Sequence, residues 1–173
     1  MERRASLSLS EWAVLACLVE RDRHGYDIAA ELAPGTELGT VWRVTRQVVY
    51  RALDRLVALG LAEPGTAEPG AGGPPRQVFE ATDAGRDRLE GWLEQPVEHL
   101  RDVRSALLLK LVLCRRLGVD VRPLVEAQRK RFAGPLAALA ESPRADPVAM
   151  WRHHSAAAVA AFIDALADGP PDP

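Results

Sequence analysis

Apolar residues recur at helical spacing through most of the chain, and the breaks in that spacing divide it into segments. Trp12, Leu15, Ala16, Leu18 and Val19 line one face of a helix over 9–20, with Ser8 or Ser10 to cap it and Glu11 in its first turn. His24-Gly25-Tyr26 interrupts the pattern. Tyr26, Ile28, Ala29 and Leu32 then predict a second short helix that stops at Pro34-Gly35. A third helix follows Thr45, a suitable N-cap, and runs to Gly60. Leu61-Ala62-Glu63 and Arg76-Gln77-Val78-Phe79-Glu80-Ala81 read as short strands on either side of a Gly/Pro-rich loop over 64–75. Thr82 caps a fourth helix that carries Leu89, Trp92 and Leu93 and reaches about residue 94. That Gly/Pro stretch alone would also suit an interdomain linker. The order of elements decides for a winged helix-turn-helix with a two-stranded wing.

Beyond Pro96 the pattern is Ala/Leu-rich and helical, without strand signals. Val103 to Leu117 is apolar on nearly every side and must be covered from more than one direction. A further segment starts near Asp120, has Pro123 early, and is expected to bend or end at Gly134-Pro135. The last begins at Asp146-Pro147 and sets Trp151, Ser155, Ala158, Phe162 and Leu166 on one stripe, with Val159 and Ile163 beside it. Three such helices are too few to close a core, so pairing with a second copy is expected. The expected organisation is mainly α: a winged domain over 1–94, a helical dimerisation region over 95–168 and a flexible tail over 169–173.

Composition narrows the function classes. The chain has 173 residues, enough for one buried domain with a helical appendage and too few for two domains of ordinary size. Net charge is -2, so any case for nucleic acid rests on where the basic residues sit. Met1 to Ser10 is polar with no apolar run of signal-peptide length behind it, and the stretch Leu107 to Cys114 is too short to span a bilayer. A cytoplasmic chain without membrane contact is expected. Cys17 and Cys114 sit in apolar sequence with no CxxC spacing or nearby His, the setting of reduced core residues.

The third helix carries the functional signal. At about 100° per residue, Val48, Val49, Ala52, Leu53, Leu56 and Leu59 share one arc, and Arg46, Gln47, Tyr50, Arg51 and Asp54 share the opposite one. Arg forks onto a guanine edge or a phosphate, Gln pairs with adenine, and Tyr donates to a phosphate oxygen. Arg43 and Arg55 add charge at the flanks. Over 41–60 there are four Arg against one Asp, a local +3 in an acidic chain. This is the distribution a recognition helix in double-stranded DNA requires, set against the plain reading of a solvated charged face. Arg76 at the wing could reach a neighbouring phosphate, although Glu68 shares its loop.

In order and spacing, several pieces resemble the PadR family of transcriptional regulators. They are Leu15, His24-Gly25-Tyr26, the run Trp42 to Leu56, Gly60-Leu61, Gly73-Pro74-Pro75-Arg76 and Thr82-Asp83-Ala84-Gly85-Arg86, all within about 7–93. The resemblance implies a homodimer with a winged helix and a helical dimerisation region, usually a repressor of a pseudo-palindromic promoter site and often released by a small, commonly aromatic effector. It implies that Thr45, Arg46, Gln47, Tyr50 and Arg51 lie in the DNA-facing turn, with Arg76 in the wing.

Other chemistry finds little support. Trp92 and Trp151 could wall an aromatic effector pocket between subunits or simply pack in a dimer core. His24 sits at a turn and suits a backbone bond better than a ligand role. His153-His154 diverge by about 100° on a helix and cannot share a metal at i, i+4 spacing. No GxSxG, HExxH or phosphate-binding Gly-rich loop is present. No enzyme activity, cofactor or metal is expected. The competing function class is a winged-helix protein-interaction module in which the same helix meets a protein.

Overall fold

Ser8 and Glu11 close the entry to the first helix. The Ser8 hydroxyl accepts from the Glu11 N–H, and the Glu11 carboxylate accepts from the Ser8 N–H, satisfying two donors that a helix start leaves open. The computed structural model, which describes residues 6–68, 76–142 and 145–169, places α1 at Leu9–Glu20. Every residue from Trp12 to Leu18 is buried. The helix is therefore covered all round rather than on the single face its apolar spacing suggested.

Around α1 lie α2 (Gly25–Glu31), α3 (Glu37–Val41), α4 (Arg46–Ala58) and α5 (Asp83–Glu94). The second helix ends before Pro34-Gly35, and those residues make the turn into α3, which the apolar spacing did not reveal. Thr36 starts α3, accepting from the Gly39 N–H at 3.0 Å. The two expected wing strands are present and are joined by a third, all antiparallel. β1 (Arg23–His24) pairs with β3 (Arg76–Ala81), which pairs with β2 (Ala62–Glu68), in the order β1-β3-β2. In register, His24 stands opposite Val78 and Ala62 opposite Ala81, with a bulge between Pro64 and Ala67. Gly73, Pro74 and Pro75 of the wing loop lie outside the described residues.

The Thr-x-x-Gly step at the end of the wing has a steric cause. Thr82 donates its hydroxyl to the Gly60 carbonyl at 2.7 Å and accepts from the Gly85 N–H at 3.1 Å. This seats the first turn of α5 on the end of α4. A Cβ at Gly85 would stand 2.0 Å from the Leu61 carbonyl oxygen, so only glycine fits.

After a 3₁₀ turn at Leu100–Asp102, a π turn at Val103–Leu107 leads into α6 (Leu108–Leu117), which ends at Gly118 with φ +67. Then come α7 (Arg122–Glu141) and α8 (Pro147–Ala167). Val121 stands at the N-cap position of α7, and the Asp120 carboxylate before it accepts from the Arg122 N–H at 3.0 Å. The α7 helix neither ends nor breaks its helical assignment at Pro135. The missing N–H and the ring's clash with the carbonyl four residues back cost about 3 kcal/mol, at a position that is exposed. Beside it Phe132, Leu136, Val159, Phe162 and Ile163 pack together, and His153 Nδ1 lies 3.2 Å from the Leu139 carbonyl. These contacts hold the helix through the proline.

Two apolar clusters result. The first gathers α1, α2, α4, α5 and also Leu109, Leu113 and Cys114 of α6. The second gathers Val97, Val103, Leu107, Leu124, Phe132 and Ile163. Helix α6 thus packs into the winged part on one side. Buried Gln128 of α7 pairs with the Val97 backbone in both directions, at 2.7 and 3.1 Å. Buried Lys110 donates to the carbonyls of Trp92 and Gln95 at the end of α5, supplying partners that a helix end lacks. Burial lowers its pKa to about 8.

Candidate nucleic-acid interface

Helix α4 divides as its sequence divides. Val49, Ala52, Leu53 and Leu56 are buried against the core, and Arg46, Gln47, Tyr50, Arg51 and Asp54 are exposed on the opposite side. The apolar contacts lock the helix, so the polar face is presented at a fixed angle. Arg43 and Thr45 are exposed just ahead of it. Thr45 has the extended backbone of an N-cap, yet its side chain makes no capping bond. No acidic residue stands in the first turn, which leaves the positive end of the helix dipole facing outward. Thr45, Arg46, Gln47, Tyr50 and Arg51 therefore form one exposed surface.

Two expected residues lie differently. The Arg55 Nε is 3.4 Å from the Glu11 carboxylate, which draws its charge back toward α1. Arg76 opens β3 across from Glu68, and its side chain lies outside the described residues. The wing base is held by Gln77, which donates to the Gly65 carbonyl at 2.8 Å, and by His24, whose Nδ1 lies 3.2 Å from the Gln77 carbonyl.

Tyr26 belongs to the surface although the sequence reading counted it among the apolar residues of the second helix. It is 55% exposed, and the Arg46 guanidinium lies over its ring at 5.4 Å from the centroid and over the Tyr50 ring at 5.7 Å. The available signal was its place directly after Gly25, where α2 meets α4.

Trp92 and Trp151 are not brought together within one chain. The Trp92 ring stacks on Trp12 at 4.7 Å and 10° between planes, with Lys110 Nζ 4.3 Å from its centroid. Trp151 stands exposed on α8. A cleft of about 420 Å³ under the wing mixes Arg21, Asp22, Asp27 and Glu80. An open groove of about 470 Å³ runs between α3 and α6. Neither is lined by Trp92 or Trp151. Among the described residues there is no group of three His, Cys, Asp or Glu that could hold a metal, and no helix is long and apolar enough to cross a membrane. The His153 and His154 rings are perpendicular, 5.5 Å apart. Burial pushes the Cys17 thiol up to about 12 and raises that of Cys114, so neither is a nucleophile at neutral pH.

Residues 14–91 match the model of the transcriptional regulator PadR-like family, a span from inside α1 to inside α5. A probable transcriptional regulator of Mycobacterium tuberculosis is 29% identical over 96 residues, 56% of this chain and 49% of the relative. The match thus spans about half the length of that curated relative. Bacillus subtilis PadR in complex with operator DNA aligns over 93% of this chain and 98% of its own, at 19% identity and a TM-score of 0.47. The same protein in complex with p-coumaric acid aligns over 95% and 99%, at 18% identity and 0.43.

Proposed function

From the match of residues 14–91 to the model of the transcriptional regulator PadR-like family, we propose that this chain is a member of that family and that it represses transcription by binding double-stranded DNA as a homodimer. The observation that carries this reading is the exposed face of α4, where Arg46, Gln47, Tyr50 and Arg51 stand opposite a buried apolar face. Each copy would set α4 in a major groove of a pseudo-palindromic promoter site, with half-sites about one helical turn or a multiple apart. Arg43 and Thr45 would contact phosphate before the helix, with Arg76 reaching from the wing and Arg55 at the margin.

In this reading residues 1–94 read DNA and 95–168 hold the dimer; the expected tail over 169–173 lies, beyond Gly169, outside the described residues. Support for the dimer comes from α8, where Val148, Met150 and Trp151 are 66%, 48% and 73% exposed. Exposed apolar side chains of that kind at one end of a long helix gain free energy when a second copy covers them. A small aromatic effector, of the class that p-coumaric acid represents, would bind near Trp92 and Trp151 in the assembled dimer and change the spacing of the two α4 helices.

The test is binding to the DNA upstream of the chain's own gene and to a genomic fragment library, at two salt concentrations, against excess unrelated DNA. Competitor-resistant binding that weakens steeply with salt is expected, because each phosphate contact releases counterions. Absence of any preferred fragment, with salt-insensitive capture of a protein instead, would replace this reading with that of a protein-interaction module.

A further inference from the structure

We propose that Tyr26 is a positioning residue for DNA specificity: together with Tyr50 it holds the Arg46 guanidinium in a pose ready for the edge of a guanine. The proposal rests on the DNA-binding reading above and adds a residue from a different helix to it.

Arg46 and Tyr50 stand on consecutive turns of α4, whereas Tyr26 comes from the start of α2. The Arg46 guanidinium lies over both rings, at 5.4 and 5.7 Å from their centroids, inside the roughly 6 Å range over which a ring face attracts a cation. No carboxylate among the described residues pairs with Arg46, unlike Arg23, Arg55, Arg115, Arg116, Arg122 and Arg131. The two rings are its neighbours by construction. A Cβ at Gly25 would stand 2.9 Å from Tyr50 Cε1 and 3.0 Å from Leu53 Cδ1. The bare backbone of Gly25 therefore lets α2 approach α4 closely enough to set Tyr26 beside Arg46.

Neither tyrosine ring is needed to fill the core, since both are among the exposed large side chains. What the rings do is limit the directions the guanidinium can take. A phosphate oxygen accepts a cation from a wide range of directions, and for that task such limits gain little. A guanine O6 and N7 accept only from a planar fork at a set angle, and there a side chain ordered in advance binds with less loss of freedom. The pairing of two rings with an Arg that no described carboxylate engages fits base reading rather than phosphate neutralisation.

Two measurements test this. In the DNA-free protein, the Arg46 side-chain protons should show ring-current shifts by NMR that fall in Tyr26→Leu and persist in Tyr26→Phe, which keeps the ring. Then a duplex selected by the wild-type chain from a random pool is compared with a scrambled duplex. Tyr26→Leu should lower the ratio of the two affinities by about fivefold, the range expected for loss of one cation–π contact. Tyr26→Phe should retain the ratio, and Tyr26→Leu should add no loss in an Arg46→Ala background. Equal losses in Tyr26→Phe and Tyr26→Leu would overturn the proposal by making the hydroxyl a direct contact. Unchanged Arg46 shifts in Tyr26→Leu, or a full further loss on top of Arg46→Ala, would overturn it as well. A wild-type chain that selects no sequence overturns it too. In that case persisting ring-current shifts would show that the fault lies with the DNA-binding reading and not with the geometry.

Discussion

Arg116 on α6 donates to both carboxylate oxygens of Glu20 on α1, at 3.0 and 2.8 Å. The same guanidinium reaches Glu31 at 3.1 Å and Glu37 at 3.8 Å, while nearly inaccessible Arg23 shares Glu20 and Glu31 with it. One arginine beyond the family-matched span thus ties α6 to α1, α2 and α3. Charge-assisted bonds of this kind are worth about 1.5–3 kcal/mol. Arg116→Ala should lower unfolding free energy by about 2 kcal/mol in a urea melt, and an unchanged midpoint would show that the tether is only a surface pair.

The same contact sets an acid dependence. Hydrogen bonding from Arg116 holds the Glu20 carboxyl below its ordinary 4.5. The depressed value is the folded one, so the contribution is complete above the unfolded pKa and disappears as pH falls through the folded value. In urea melts at a series of pH values, Glu20→Gln should therefore lose less stability than the wild type as pH falls below about 5.

Two glycines of α5 should respond in opposite ways. Gly85→Ala drives a Cβ against the Leu61 carbonyl and should cost about 3 kcal/mol or more through overpacking and backbone strain. Gly91→Ala meets nothing within 4 Å and should stabilise by about 0.5–1 kcal/mol by restricting the unfolded chain. Thermal melts of the pair would compare them directly.

Cys17 and Cys114 are buried with raised thiol pKa values. Neither should react with a thiol reagent at pH 8 in the native protein on the timescale of a free cysteine, and both should react in denaturant. Fast native labelling of either would mean that α1 or α6 opens readily.

These outcomes bear on what could be read in advance. Helix α1 was visible from Ser8, Glu11 and its apolar run, and α4 from the opposed arcs of Leu53 and Arg51. Strand β1 was not, because two residues become a strand only by pairing with Val78 and Phe79 far along the chain. Helix α3 is too short to show a period. Arg23, Lys110 and Gln128 look like surface residues in sequence, and their burial follows from partners on other elements. Tyr26 showed in sequence only as part of the second helix, because its place beside Arg46 depends on how α2 meets α4.

Trp151 offers a test of assembly. Trp151→Glu places a charge in the exposed apolar end of α8, where the proposed dimer would cover it. Light scattering at micromolar concentration should move from dimer to monomer with helical content retained. A dimer unaffected by Trp151→Glu would place the contact elsewhere.

The most direct test of the central claim is fluorescence anisotropy of a selected duplex titrated with the wild type and with Arg46→Ala/Arg51→Ala across a salt series. The account predicts a loss of at least about tenfold in affinity for the selected duplex, with most of the salt slope retained because the phosphate contacts ahead of the helix remain, and with unchanged circular dichroism. Equal affinity for both proteins would contradict it and move the DNA surface away from α4.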